Sequence, residues 1–105
     1  MNWIYLVLAG LFEIGWPLGL KLSQTMTSKW SGLLMAVVCM FLSGIFLWNA
    51  QKTIPIGTAY AVWTGIGAVG TLIVGILCFG DSSSVWRLLS ASLIVIGIVG
   101  LKLAH

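Results

Sequence analysis

Between Trp30 and Gln51, and again between Thr53 and Gly80, the chain contains no Asp, Glu, Lys, Arg or His. Each run is long enough to cross ~30 Å of hydrocarbon as a helix, which takes about 20 residues at ~1.5 Å each. A backbone in lipid must satisfy its own hydrogen bonds, so runs of this kind are helical. Only 7% of the 105 residues are Asp, Glu, Lys or Arg, against about 25% in a soluble domain. With a mean hydropathy of +1.12, a soluble fold of this length has too little polar surface to cover its apolar groups.

Spans are predicted at 3–20, 31–50, 56–79 and 86–103, giving an all-α membrane protein with one four-helix transmembrane domain over 1–105. The first segment lacks the basic start of a signal peptide and carries Glu13 in mid-run, so it reads as a span. Trp3, Tyr5, Trp30, Trp48 and Trp86 fall near span ends, where aromatic rings favour the interface. The predicted turns are Lys21–Lys29, Lys52–Pro55 and Gly80–Ser84, and Arg87 has to snorkel for the last span to reach full length. Cys39 and Cys78 lie in apolar runs without CxxC spacing and read as small hydrophobes. No cofactor or metal site is expected, and the net charge of +3, spread over the turns, is no nucleic-acid signature.

Orientation is nearly unbiased. Lys21, Lys29 and Arg87 would share one side of the membrane; Lys52, Lys102 and the amino terminus would share the other. The count leaves open both cytoplasmic termini and insertion in both orientations as an antiparallel pair. Four helices alone make a poor aqueous pathway, so an oligomer is expected. Small residues at Gly57, Ala61 and Gly65, and at Gly97 and Gly100, are candidates for close helix packing within or between protomers.

Glu13 is the most informative residue. The chain has two acids; Asp81 is expected in a polar turn, whereas Glu13 sits near mid-span with no basic residue at its depth. A carboxylate there costs several kcal/mol or more unless it meets a cavity, a partner or a proton. Desolvation favours the neutral acid, and an arriving cation favours the carboxylate, so proton and cation compete. Gly10, Glu13, Trp16 and Pro17 share one helix face, as do Tyr60, Trp63, Thr64 and Gly67. Aromatic faces attract cations, and Ser43 adds a hydroxyl to an otherwise apolar span. Gly65-Ile-Gly67-Ala-Val-Gly70 matches the dinucleotide fingerprint letter for letter, but it lies inside an apolar span and lacks the strand and acid the fingerprint needs. Gly65 and Gly67 read instead as packing or hinge points.

The run Gly57-Thr-Ala-Tyr-Ala-Val-Trp-Thr-Gly-Ile-Gly-Ala-Val-Gly70 resembles the third helix of the small multidrug resistance transporters. Glu13, Lys21, Pro55 and Gly-Leu-Lys102 fit the same family over the whole length. Gly10, Trp16, Ser43, Thr58, Thr64 and Gly70 make it most similar to the guanidinium-exporter branch. The resemblance implies an antiparallel, dual-topology homodimer in the bacterial inner membrane, with two Glu13 carboxyls at one central site and two protons exchanged per cation. It also implies that Gly10, Trp16, Ser43, Tyr60 and Trp63 line the site, and that the fourth helices join the dimer. Gly15, Pro17 and Gly19 depart from the apolar residues common in that branch, and Asp81 stands where Glu is common. Pro17 is expected to kink the first helix below the carboxylate.

The expected partners are a small cation, protons, membrane lipid and a second copy, with no nucleic acid. Guanidinium export is the leading expectation. The alternatives are export of bulkier quaternary ammonium ions and a non-transporting assembly role in which Glu13 fixes helix register. An enzyme is not expected: no nucleophile accompanies a base, and the one histidine is the terminal His105.

Overall fold

The computed structural model describes residues 2–25 and 29–104. Four helices account for nearly all of them: α1 (Asn2–Thr25), α2 (Lys29–Ala50), α3 (Ile56–Cys78) and α4 (Val85–Ala104). All four are long and apolar enough to cross a membrane. The first turn is the one place where the predicted boundaries shift. Residues 21–25 are the last turn of α1, and Lys29 already starts α2. Lys, Leu and Gln are good helix formers, and Ser23 and Thr25 direct their hydroxyls to the carbonyls of Leu20 and Lys21. Residues 26–28 of the expected turn lie outside the described residues.

The molecule is a slab, 45 × 34 × 17 Å. α1 lies between α2 and α3, and the backbone of α4 packs along α3 alone. The α1–α2 seam is the tightest. A Cβ on Gly19 would collide with the backbone of Gly32 and Ala36, and one on Gly32 with that of Gly19 and Ser23. Absent side chains thus set the helix separation, as small residues do in membranes. Phe46 of α2 stacks on Phe12 and Tyr5 of α1, with centroids at 5.6 and 6.1 Å.

At the far end, residues 51–55 fold back so that Ile54 joins Leu6, Ala50, Ala59 and Val62 in the buried core. Asn2 donates from its amide to the Thr53 hydroxyl and ties the start of α1 to this turn. The third turn ends α3 with Gly80 at φ +70°, the left-handed position that glycine favours after a helix. There the amides of Phe79 and Asp81 both donate to the carbonyl of Gly75. Ser84 then caps α4, accepting from the amide of Arg87. Lys52 lies over Trp48, Lys29 over Trp30 and Lys102 over Trp3, the pairing of cation and aromatic ring expected at span ends.

Of the small-residue rows, Gly65 alone packs inside the protomer, under Ile94 and Ile98 of α4. Gly57, Gly97 and Gly100 have open space where a Cβ would stand, and Ala61 is exposed. Packing within one protomer is therefore not their role. No residue of α4 is buried, and Leu93, Ile96 and Val99 stand bare.

Gly32→Val is expected to destabilise the protein by about 1–3 kcal/mol through overpacking of the α1–α2 seam. Gly44→Val, whose Cβ meets nothing within 4 Å, is expected to leave stability nearly unchanged. Thermal unfolding in detergent, followed by circular dichroism, compares the two.

Candidate functional site

Glu13 is half-buried on α1 and faces an open cleft of about 470 Å³ between α1, α3 and the start of α4. The indole of Trp16, one helical turn on, donates to Glu13 Oε1 at 2.7 Å. That bond fixes the carboxyl while using one of its roughly four lone-pair sites. Room for the acid comes from Gly67 of α3: a Cβ there would fall on Glu13 Cγ and Cβ. Pro17 also lines the cleft. Its ring nitrogen has no hydrogen to donate to the Glu13 carbonyl, so a polar main-chain oxygen stands beside the cleft without its helical partner. α1 nevertheless runs through Pro17 as one helix. Among the described residues no ion pair reaches Glu13.

A second polar arrangement lies beside the first. Trp63 Nε1 donates to Ser43 Oγ at 2.8 Å, and Ser43 Oγ donates to the Ala9 carbonyl at 2.7 Å. One buried hydroxyl thus joins α3, α2 and α1. Tyr60 meets Trp63 edge-on at 5.3 Å and is itself exposed.

Of the residues expected to line the site, Glu13 and Trp16 are brought together directly. Ser43 and Trp63 form their own pair, with Tyr60 at its outer edge. Gly10 is buried against Ile66 of α3, where a Cβ would not fit, so in the protomer it is a helix contact. Gly67, expected to serve packing, makes the space for Glu13. Gly15 and Gly19, two of the departures beside Trp16, face Cys39 and the α2 backbone; they adjust the α1–α2 seam and leave the cleft alone.

The family model of the Small Multidrug Resistance protein matches residues 1–94. The chain belongs to the small multidrug resistance family. It is 51% identical over 104 residues to the guanidinium exporter of Proteus vulgaris, covering 99% of each chain. Identity is 53% over 104 residues to that of Yersinia pestis, again with 99% of each covered. The guanidinium exporter of Salmonella typhimurium strain LT2 is 51% identical over 104 residues, covering 99% of this chain and 98% of its own. With four apolar helices and these bacterial relatives, this small multidrug resistance protein is a multi-pass protein of the bacterial inner membrane.

Four further polar or charged residues line the Glu13 cleft of this family member: Thr64, Thr71, Asp81 and Arg87. Thr64 shares the helix face of Tyr60, Trp63 and Gly67, so its place was legible. Thr71 sits one turn beyond Gly67, at the same four-residue spacing. Asp81 and Arg87 had no signal in the sequence as cleft residues. Arg87 is half-buried, with its Nε against the protein and unpartnered among the described residues.

Gly67→Val is expected to push the Glu13 carboxyl off its Trp16 bond and abolish transport while the helices still assemble. Ser43→Ala leaves the Trp63 indole without its acceptor, at about 1–3 kcal/mol. A shift in tryptophan emission, together with a lowered Tm, reads that loss.

Proposed function

We propose that the chain exports guanidinium or small guanidinyl cations in exchange for protons, with both ligands competing for Glu13. The observation that carries this reading is a carboxyl at mid-span, oriented by an indole N–H and open to a cleft, with no ion pair to it among the described residues. In hydrocarbon such a group holds a proton or an external cation. Guanidinium is planar, stays charged at physiological pH and presents a fork of N–H donors that a carboxylate accepts through both oxygens. The names of the relatives point to the same cargo.

The proposed working unit is an antiparallel, dual-topology homodimer with two Glu13 carboxyls at a shared site, exchanging two protons per cation. Two features support it. The nearly balanced basic residues give little preference for either orientation, and Gly97 and Gly100 of α4, open in the protomer, would let another helix approach closely. Each Glu13 would then be oriented by its own Trp16, with the Tyr60 and Trp63 rings of both copies available as cation surfaces. The site needs no catalytic group, metal or cofactor, because exchange requires only that one carboxyl hold one ligand at a time. Protons binding from the side of higher proton activity displace the cation to that side, and once the site opens to the other side the proton leaves and a new cation binds.

Proteoliposomes on a solid-supported membrane test the reading. Guanidinium is expected to produce currents that vanish in Glu13→Gln, with the dimer still assembled. Lowering the pH should weaken apparent guanidinium affinity, since protons compete for the same carboxyl. Currents with tetraalkylammonium in place of guanidinium would move the chain to the drug-exporting function, and a Glu13→Gln variant as active as wild type would overturn the mechanism.

A further inference from the structure

Both acids of this chain, Glu13 and Asp81, line the same cleft. Asp81 is held there in two ways. Its amide donates to the Gly75 carbonyl at 3.1 Å, and its carboxylate lies on the bare backbone of Gly75, where any Cβ would strike Oδ2. Gly67, Thr71 and Gly75 follow one another at four-residue spacing on α3, so they share a face. Glu13 lies against the first and Asp81 against the last, eight residues apart, or about 12 Å along the helix. Thr71 stands between them and lines both the Glu13 cleft and an adjoining cavity of about 250 Å³ that contains Lys21 and Asp81.

Three charges thus meet at the outer end of the path: Asp81, Lys21 from α1 and Arg87 from α4. Among the described residues no ion pair joins Asp81 to either base. The mouth carries a formal charge of +1. Without Asp81 it would carry +2 and repel a cation; without Arg87 it would be neutral. Low-dielectric walls focus such fields, which govern how fast a charged ligand arrives.

We propose that Asp81 is the outer carboxylate of the cation path, and that it works against Lys21 and the half-buried Arg87 as a charge filter controlling access to Glu13. This rests on the exporter reading above. A cation approaching from the third-turn side first meets Asp81, passes Thr71 and reaches Glu13. Asp81 is a positioning residue, since the competition with protons takes place at Glu13.

The test is the guanidinium concentration for half-maximal current, measured in proteoliposomes of the full chain at low and high salt. Asp81→Asn is expected to raise it about three- to tenfold at low ionic strength while the maximal current stays within twofold, and Asp81→Glu should match wild type. Arg87→Gln should lower it, and the double variant Asp81→Asn/Arg87→Gln, with the mouth again at +1, should return toward wild type. High salt should compress all these differences, because exposed charges are screened within about 10 Å at 0.1 M. Wild-type currents with half-saturation unmoved in Asp81→Asn, or Asp81→Glu as impaired as Asp81→Asn, overturn the charge filter alone. If Asp81→Asn fails to insert, an unchanged value in Arg87→Gln does the same. Absence of guanidinium current from the wild type overturns the exporter reading and the filter with it.

Discussion

A carboxyl group at mid-depth in hydrocarbon is the constraint on which the rest of this molecule depends. Uncompensated, it would cost several kcal/mol, a large part of the stability of a domain this small. The structure meets that cost with space and one oriented donor. Gly67 removes the side chain that would stand against Glu13, and the Trp16 indole donates to one oxygen. Pro17 withdraws a backbone donor nearby. Arg87 lines the outer part of the cleft, but among the described residues no ion pair reaches Glu13, and its charge is left to be answered by something that arrives and leaves.

The helices divide the work around that cleft. On one side, Gly19 and Gly32 bring α1 and α2 into backbone contact, and Phe46 stacks on two rings of α1. That seam is closed. On the other side, α3 meets α1 where Ile66 packs on Gly10, Gly67 on Glu13 and Gly70 on Ile14, and beyond these contacts the cleft stays open. Ser43 connects the two sides. Because its hydroxyl donates to α1 and accepts from Trp63 of α3, movement of α3 relative to α1 must break or carry along that pair. The hydroxyl is therefore placed to report the state of the cleft to the closed seam. A hydrogen bond of this kind, worth about 1 kcal/mol net, is weak enough to exchange during transport.

The spans were legible because uncharged runs of this length have one fold available in lipid. Glu13 was legible for the opposite reason: a charge where charge is expensive must have a use. The faces were harder to read. Helices this apolar all round carry little amphipathic signal, so spacing grouped Gly10 with Glu13 without showing that Gly10 turns to Ile66. The same limit left Gly57, Gly65 and Gly97 looking alike, although Gly65 alone packs within the protomer. Asp81 was beyond reach because its place depends on the turn folding back at Gly80 onto the bare surface of Gly75, a contact six residues away in sequence. Arg87 followed from that turn, since Ser84 caps α4 in an orientation that directs the first helical turn to the cleft.

The shape of the protomer explains why the proposed function requires a second copy. At 17 Å, the slab is less than two helix diameters thick, so its Glu13 cleft is open sideways as well as toward the third turn. A carboxylate opening sideways into acyl chains would be as costly as one buried without a partner, and a hydrated ion could not reach it through lipid. A protein surface over the cleft excludes lipid and encloses space in which water, a proton or a cation can reach the carboxyl. The bare face of α4, whose backbone packs along α3 alone, is an apolar surface suited to a protein contact, and a second copy supplies an identical one. If the copies insert in opposite directions, the third-turn mouths lie on opposite sides of the membrane, each leading to the same pair of acids. Alternating access then needs only that one mouth close as the other opens, a rearrangement between two identical slabs that leaves the fold of each intact.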